Sequence, residues 1–296
     1  MKIDILFWFY TEFKACAKKL KKIRSCNKDA RVFALYGGPL SETHMARQVV
    51  NPYVDDFYVY RHEKEPRWKW ENGEQILADW YLERGQHLPW ETIFIMQWDM
   101  LISAPLQELF SGLQPGEILL SGFRPMHEVA SWWHWANPKN PNLKAFKALL
   151  RKKFHYEDEL AVCLFIVACF PRIFFEKFVG AGHPEVGFIE YKIPTMANMF
   201  RIPVCHKHGF HPWWGSDPTT KNAPPHQRLL NATGQEVPLS VILKEFSKNN
   251  GQRLFHPVFR HYPKWMENRY IAVILYYLHR SIRRIYRIGS LVKEKV

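Results

Sequence analysis

The run Ile93-Phe94-Ile95-Met96-Gln97-Trp98-Asp99 passes from unbroken apolar residues to an amide, an indole and a carboxylate. A carboxylate where a buried parallel strand leaves its sheet lies at the crevice in which open α/β folds bind ligands, and it can hold a divalent cation against phosphate oxygens. The same Asp99 can equally cap the turn that follows. A second carboxylate, Glu190 in "GFIEYKIPT", stands beside Phe188 and Ile189. Partial desolvation there raises a carboxyl toward the range of a general base. Glu185 is the substitute in that role, and a helix-face pairing of Glu190 with Lys192 or a nearby Arg is the alternative.

Histidines cluster in "CHKHGFHPWWG" as His206, His208 and His211, and His256 follows in "LFHPVF". An H-x-H on a strand directs both rings to one side, as metal ligands require, but no cysteine or acid at ligand spacing completes a zinc set. Each of them also fits a hydrogen-bonded core or loop histidine. Tryptophans arrive close together, as Trp68 and Trp70, Trp132, Trp133 and Trp135, and Trp213 and Trp214, with Trp80 alone. Loop pairs of this kind suggest pocket rims where rings stack on flat apolar faces, including those of sugars.

These residues need a frame. Apolar runs predict strands over Ile3–Phe9, Arg31–Tyr36, Phe57–Tyr60, Thr92–Met96, Glu117–Ser121 and Leu160–Phe170. Helical spacing predicts a first helix from Phe13 with five lysines on its outer face, then Gly73–Arg84, Leu143–Phe154, Arg172–Phe178 and Glu267–Ile288. Pro194-Thr195 is expected to open a helix, and the Pro- and Gly-rich stretch Gly209–Pro238 to form a long loop over the sheet. Alternating β and α elements predict an α/β fold with a mostly parallel sheet flanked by helices and an amphipathic helix at the C-terminal end.

The order of these elements, with "IFIMQWDMLI" ending the fourth strand, resembles the nucleotide-sugar half of a GT-A fold (Rossmann-like) glycosyltransferase of the bacterial glycan or polysaccharide type. In that family an acidic-x-Asp signature binds the divalent metal and the donor diphosphate. Asp99 matches its second acid, while Gln97 stands where the first belongs and cannot neutralise Mn²⁺ or Mg²⁺. The resemblance implies donor contacts from Thr11 and Glu12 after the first strand, from Asp55 or Asp56 before the third, and from Gln97, Asp99, Trp213 and Trp214. It implies an acceptor side at Trp132, Trp133 and Trp135, a catalytic Glu190 or Glu185, and a further metal or diphosphate ligand among His208, His211 and His256. Residues 1–262 would be the transferase domain, with a donor half about 1–122 and an acceptor half about 123–262, and 263–296 a basic amphipathic helix. The partners implied are a nucleotide-sugar donor and a glycan or lipid-linked acceptor.

Charge narrows the alternatives. The chain has 296 residues, 41 Lys+Arg against 28 Asp+Glu, a formal charge of +13. Residues 12–31 carry +6, residues 253–296 carry +8, and residues 32–252 carry −1, with Lys2 and Asp4 cancelling. A neutral body with no RNP, helix-turn-helix or zinc-finger signature argues against a nucleic-acid binder. Isoleucines, tyrosines and Arg280, Arg283, Arg284 and Arg287 near the C-terminus have the composition of a helix in an anionic membrane interface, where each basic residue contributes roughly 1 kcal/mol. A helix packing its apolar stripe on the domain is the alternative. A domain that binds glycans or membranes without catalysis is a further reading that Gln97 keeps open. Five cysteines with no C-x-x-C pair, no signal h-region and no apolar run of membrane-spanning length predict a cytoplasmic protein, which the membrane reading of the C-terminal helix would make peripheral at the inner face of the membrane.

Overall fold

The computed structural model describes residues 1–293, with side chains through residue 282. Four continuous apolar runs form parallel strands: β1 (Asp4–Phe9), β2 (Val32–Tyr36), β3 (Asp56–Val59) and β4 (Thr92–Gln97). Between them lie helices α1 (Phe13–Cys26), α2 (Thr43–Val50), α3 (Pro66–Glu71) and α4 (Gly73–Glu83). The second part of the chain adds β5 (Leu101–Ile102), α5 (Leu106–Leu109), β6 (Leu119–Leu120), β7 (Arg124–Pro125) and α6 (Pro141–Phe154). There follow β8 (Ala161–Val162), β9 (Ala168–Pro171), α7 (Arg172–Gly180), α8 (Ile189–Met199), α9 (Leu239–Phe246), β10 (Leu254–Phe255) and α10 (Arg269–Lys293).

The main sheet runs β3-β2-β1-β4-β9-β6, and only β9 opposes the others. Phe7 of β1 sits in register with Ala34 of β2 and Met96 of β4, and successive residues of all three strands are buried, so the central strands are covered on both faces and their sequences do not alternate. Carboxylates lock the N-terminal edge of this sheet. Asp4 accepts from the Arg31 backbone N–H at 2.7 Å and from its guanidinium, and Asp55 accepts from the Val32 N–H at 2.7 Å while pairing with Arg24.

Three expectations need correction. Leu160–Phe170 is not one strand: its middle turns away because Cys163, Leu164 and Phe165 donate their N–H groups to Glu190 and Ser121 rather than to a ladder. Pro194 does not open a helix but lies inside α8, which begins at Ile189. Of the five lysines on α1, Lys19 and Lys22 are buried, Lys19 donating to the carbonyls of Trp98 and Val258 and Lys22 pairing with Glu267. Burial pushes both ammonium groups down to about 8.

A smaller apolar cluster of α9, β10 and the start of α10 includes Ile242, Phe246, Phe255 and Ala272. It joins the body through the antiparallel pair β5–β10. The side chains of Arg283, Arg284, Ile285, Tyr286 and Arg287, part of the expected basic stripe, lie outside the described residues. All five cysteines are free thiols and all but Cys26 are buried. No helix among the described residues is long and apolar enough to cross a membrane.

Candidate active site

The C-terminal ends of the four parallel strands open into a cavity of about 510 Å³, within the range of ligand sites. Tyr10 follows β1, Gly37 and Gly38 follow β2, Tyr60, His62, Glu63 and Lys64 follow β3, and Gln97 and Trp98 end β4. Pro66, Lys69 and Trp70 of α3 close one side, and Phe165, Phe188, Ile189 and Glu190 the other. Glycine is required at position 38, where a Cβ would collide with the Tyr36 hydroxyl and the Tyr10 carbonyl. That close approach keeps the β2 exit against the β1 loop and the cavity open above them.

Glu190 is held by its own helix sequence. Pro194 has no N–H, so the Glu190 carbonyl four residues earlier loses its helical partner. Cys163 N–H takes that carbonyl at 2.8 Å, and Phe165 N–H donates to Glu190 Oε1 at 2.9 Å. One turn on, the Thr195 hydroxyl bridges the N–H and C=O of Ala161, both at 3.1 Å. Three residues of "EYKIPT" thus clamp one strand-like segment, and the clamp aims a carboxylate at the cavity. Burial pushes the Glu190 carboxyl up to about 8, with the single Phe165 N–H opposing. Lys192 is not its partner, being buried and ion-paired with Glu74. Gln97 Nε2 donates to the Phe165 carbonyl at 2.7 Å, so Gln97 and Glu190 meet through the backbone C=O and N–H of one residue.

Asp99 lies one residue past the cavity wall in a different setting. His256 Nδ1 is 2.8 Å from the Asn231 carbonyl, which can only accept, so Nδ1 carries the proton and Nε2 faces Asp99 Oδ2 at 3.4 Å. Asp99 Oδ1 is buried and takes no hydrogen bond from the described residues. Burial pushes this carboxyl up, but His256 and then Lys19 more than offset it and hold it below the usual carboxylate range. The Val258 N–H to Asp99 carbonyl bond at 2.6 Å fixes the segment bearing His256 against the β4 exit.

The other expected residues distribute as follows. Thr11 and Glu12 sit between the cavity-lining Tyr10 and α1 without lining the cavity, and Glu12 holds a left-handed backbone with φ 53°. Asp55 and Asp56 are corrected: they lie at the N-terminal edge of the sheet, bound to Arg24 and Arg84, because residues before a parallel strand are at the wrong end for the crevice. Glu185 is exposed and outside the cavity lining. His206 to His211 do not reach Asp99 and do not form a strand; His206 packs on Phe123, and His208 stacks on Phe210. Burial, then His211 and His206, lowers the His208 pKa. Among the described residues no group of three or more His, Cys, Asp or Glu side chains could hold a metal, so Asp99 and His256 are the expected ligands that come together.

The aromatic assignments also change. Trp213 and Trp214 are buried rather than a cover over the cavity; Trp214 packs edge-on against Trp132 and Trp133, so these three belong to one core cluster. Trp80 is core, packed on Trp90. Trp135 stacks on Phe188 with ring centroids 4.2 Å apart, and Trp70 leans on both. Of the tryptophans placed at pocket rims by the sequence, Trp70, 56% exposed, lines the cavity, which Trp8 and Trp98 also line. Tyr10, Trp98 and Phe259 form a second aromatic series on the opposite rim, each pair 5.7 Å apart. The signals for the residues missed were the Gly37-Gly38-Pro39 stop after β2 and the Trp68-x-Trp70 pair.

No protein-family profile matches the chain, and no curated protein matches it. Solved structures similar to it include the galactosyltransferase LgtC in complex with donor and acceptor sugar analogues, 11% identical over 68% of this chain and 72% of that one, with a TM-score of 0.35. Mouse xyloside xylosyltransferase 1 in its apo form is 13% identical over 69% and 78%, with a TM-score of 0.30. A cytidylyltransferase from Leptospira borgpetersenii serovar Hardjo-bovis is 11% identical over 71% and 79%, with a TM-score of 0.36. All three are transferases by name. Similarities this low place the chain in no family, and its functional reading rests on its own residues.

Proposed function

We propose that the protein is a glycosyltransferase that moves a sugar from a nucleotide diphosphate donor to a glycan or lipid-linked acceptor. The observation that carries this reading is Glu190: a clamped, desolvated carboxyl facing a cavity at the C-terminal ends of parallel strands, beside the β4 exit that leads into Asp99. In its ionised form Glu190 accepts the proton of an acceptor hydroxyl. The oxygen lone pair then forms the bond to the anomeric carbon as the bond to the diphosphate breaks. Because burial pushes the Glu190 carboxyl up to about 8, transfer is expected to rise with pH through that region.

Asp99 and His256 suit a divalent cation, Mn²⁺ or Mg²⁺. The unbonded buried Oδ1 leaves a carboxylate oxygen for one ion, and His256, its Nδ1 proton committed to the Asn231 carbonyl, could offer Nε2 by giving up its contact with Asp99 Oδ2. Such a cation supplies charge neutralisation to the diphosphate. Gln97 contributes no charge and spends its amide N–H on positioning Phe165. The Trp70, Trp135 and Phe188 surface suits the apolar face of a sugar ring at the acceptor end of the cavity.

The test is a panel of nucleotide sugars followed by thermal shift and product analysis, with and without Mn²⁺. Stabilisation by one nucleotide class and Mn²⁺-dependent sugar release are expected. Binding by none of the panel overturns the reading, and binding with no turnover under any condition would make the domain a nucleotide-sugar binding module instead.

A further inference from the structure

Away from the cavity, exposed apolar side chains gather, among the described residues, in a stripe on α10. Tyr270, Ile274, Tyr277, Leu278 and Ile282 are exposed, Tyr270 at 77%. Their spacing of i, i+4, i+7, i+8 and i+12 puts them on one helix face. This is not the face that holds the helix to the body. Ala272 is buried, and Leu275 and Tyr276 pack on the cluster that contains Ile242 and Phe246 of α9.

The charge of the helix selects what can cover the stripe. Between Arg269 and Lys293 the sequence holds Arg269, Arg280, Arg283, Arg284, Arg287 and Lys293 and no acid. Arg269 and Arg280, both exposed, are eleven residues apart, about three turns, and so fall along one edge of the stripe. Two copies meeting stripe to stripe would bring together two sets of like charges with no acid in either helix to pair them. An anionic lipid surface offers the complementary charge, acyl chains for Ile274, Leu278 and Ile282, and the water–lipid boundary that tyrosine favours. No described helix can cross a bilayer, so this one would lie in its plane.

We infer that α10 is an interfacial helix that seats the protein on an anionic membrane, with the Tyr270 to Ile282 stripe at the acyl boundary and Arg280 at the headgroups. This stands apart from the transferase reading, although the two connect. Phe259 stacks on Trp98 of the cavity wall, and exposed Trp265 follows six residues later, just before the helix.

The experiment is flotation of the full chain with vesicles of phosphatidylcholine alone and of phosphatidylcholine with about one-third phosphatidylglycerol. Binding to the anionic vesicles only is expected, falling steeply with added salt. Ile274→Glu with Leu278→Glu should weaken it at least about tenfold with an unchanged thermal midpoint. Arg280→Glu, a single exposed change, should weaken it and flatten its salt dependence. No binding to anionic vesicles overturns the inference, as does an Arg280→Glu protein that binds like the parent. A dimer in sedimentation that the double variant abolishes would overturn it in favour of a second copy.

Discussion

Glu190 and Asp99 are both largely buried carboxylates at the functional end of one sheet, yet their proton affinities move in opposite directions. Glu190 has one backbone N–H and apolar neighbours, so desolvation dominates and its carboxyl rises to about 8. Asp99 is somewhat less buried, and the His256 imidazole and then the Lys19 ammonium overcome its desolvation and hold its carboxyl below the usual range. A cation close by is what separates a residue fit to exchange protons from one fit to hold positive charge. The contrast follows from where each sits. Glu190 is in the first turn of a helix whose proline hands its carbonyl to a neighbouring segment, whereas Asp99 is wedged between a buried lysine of α1 and the chain that follows β10.

Breaking the first half of the contrast should have the largest effect. Glu190→Gln keeps an acceptor for the Phe165 N–H and removes the titrating group, so sugar transfer should fall by about 10²- to 10⁴-fold. Donor binding, read as thermal shift, should be nearly unchanged; an equal loss of both would make Glu190 a binding residue rather than a base. Asp99→Asn attacks the second half. It should lower Mn²⁺-dependent donor affinity by about 10- to 100-fold, seen by titration calorimetry, and leave the pH profile of the residual transfer unmoved. Thr195→Val probes the clamp. It strands the Ala161 backbone groups at a cost of about 1–3 kcal/mol of stability, measured by denaturant unfolding, and should shift the transfer pH profile, because Glu190 is aimed by the same segment.

How much of this contrast was legible in the sequence depends on the range of the interactions that make it. The β1-α1-β2 and β4 framework is written in continuous apolar runs, and the position of Asp99 at the crevice follows from it. The apolar neighbours of Glu190 are adjacent in sequence, so its desolvation could be read directly. The partners could not. His256 reaches Asp99 across more than half the chain, and Lys19 reads as a solvated helix-face lysine until the carbonyls of Trp98 and Val258 are folded over it. The break within Leu160–Phe170 is imposed by Glu190 and Ser121 from outside the segment, so nothing in its own periodicity records it. Asp55 and Asp56 were misplaced for a simpler reason: direction within a parallel strand decides which end a residue occupies, and Asp55 precedes β3 while Asp56 begins it.

The effect that separates the two carboxylates without an assay for transfer is on stability against pH. Glu190 has a folded pKa raised from 4.5 to about 8. Its contribution is complete below the unfolded value and is lost as pH rises through the folded one, at up to about 1.4 kcal/mol per pH unit. Asp99 has a lowered folded pKa, so its contribution is present above the ordinary 3.8 and is lost as pH falls through the folded value. Chemical unfolding at a series of pH values should therefore show a decline between about 4.5 and 8 that Glu190→Gln removes, and an acid-side decline that Asp99→Asn reduces. If Glu190→Gln left the alkaline decline in place, Glu190 would be ionised like Asp99 across that range, and the environments would not divide the two roles.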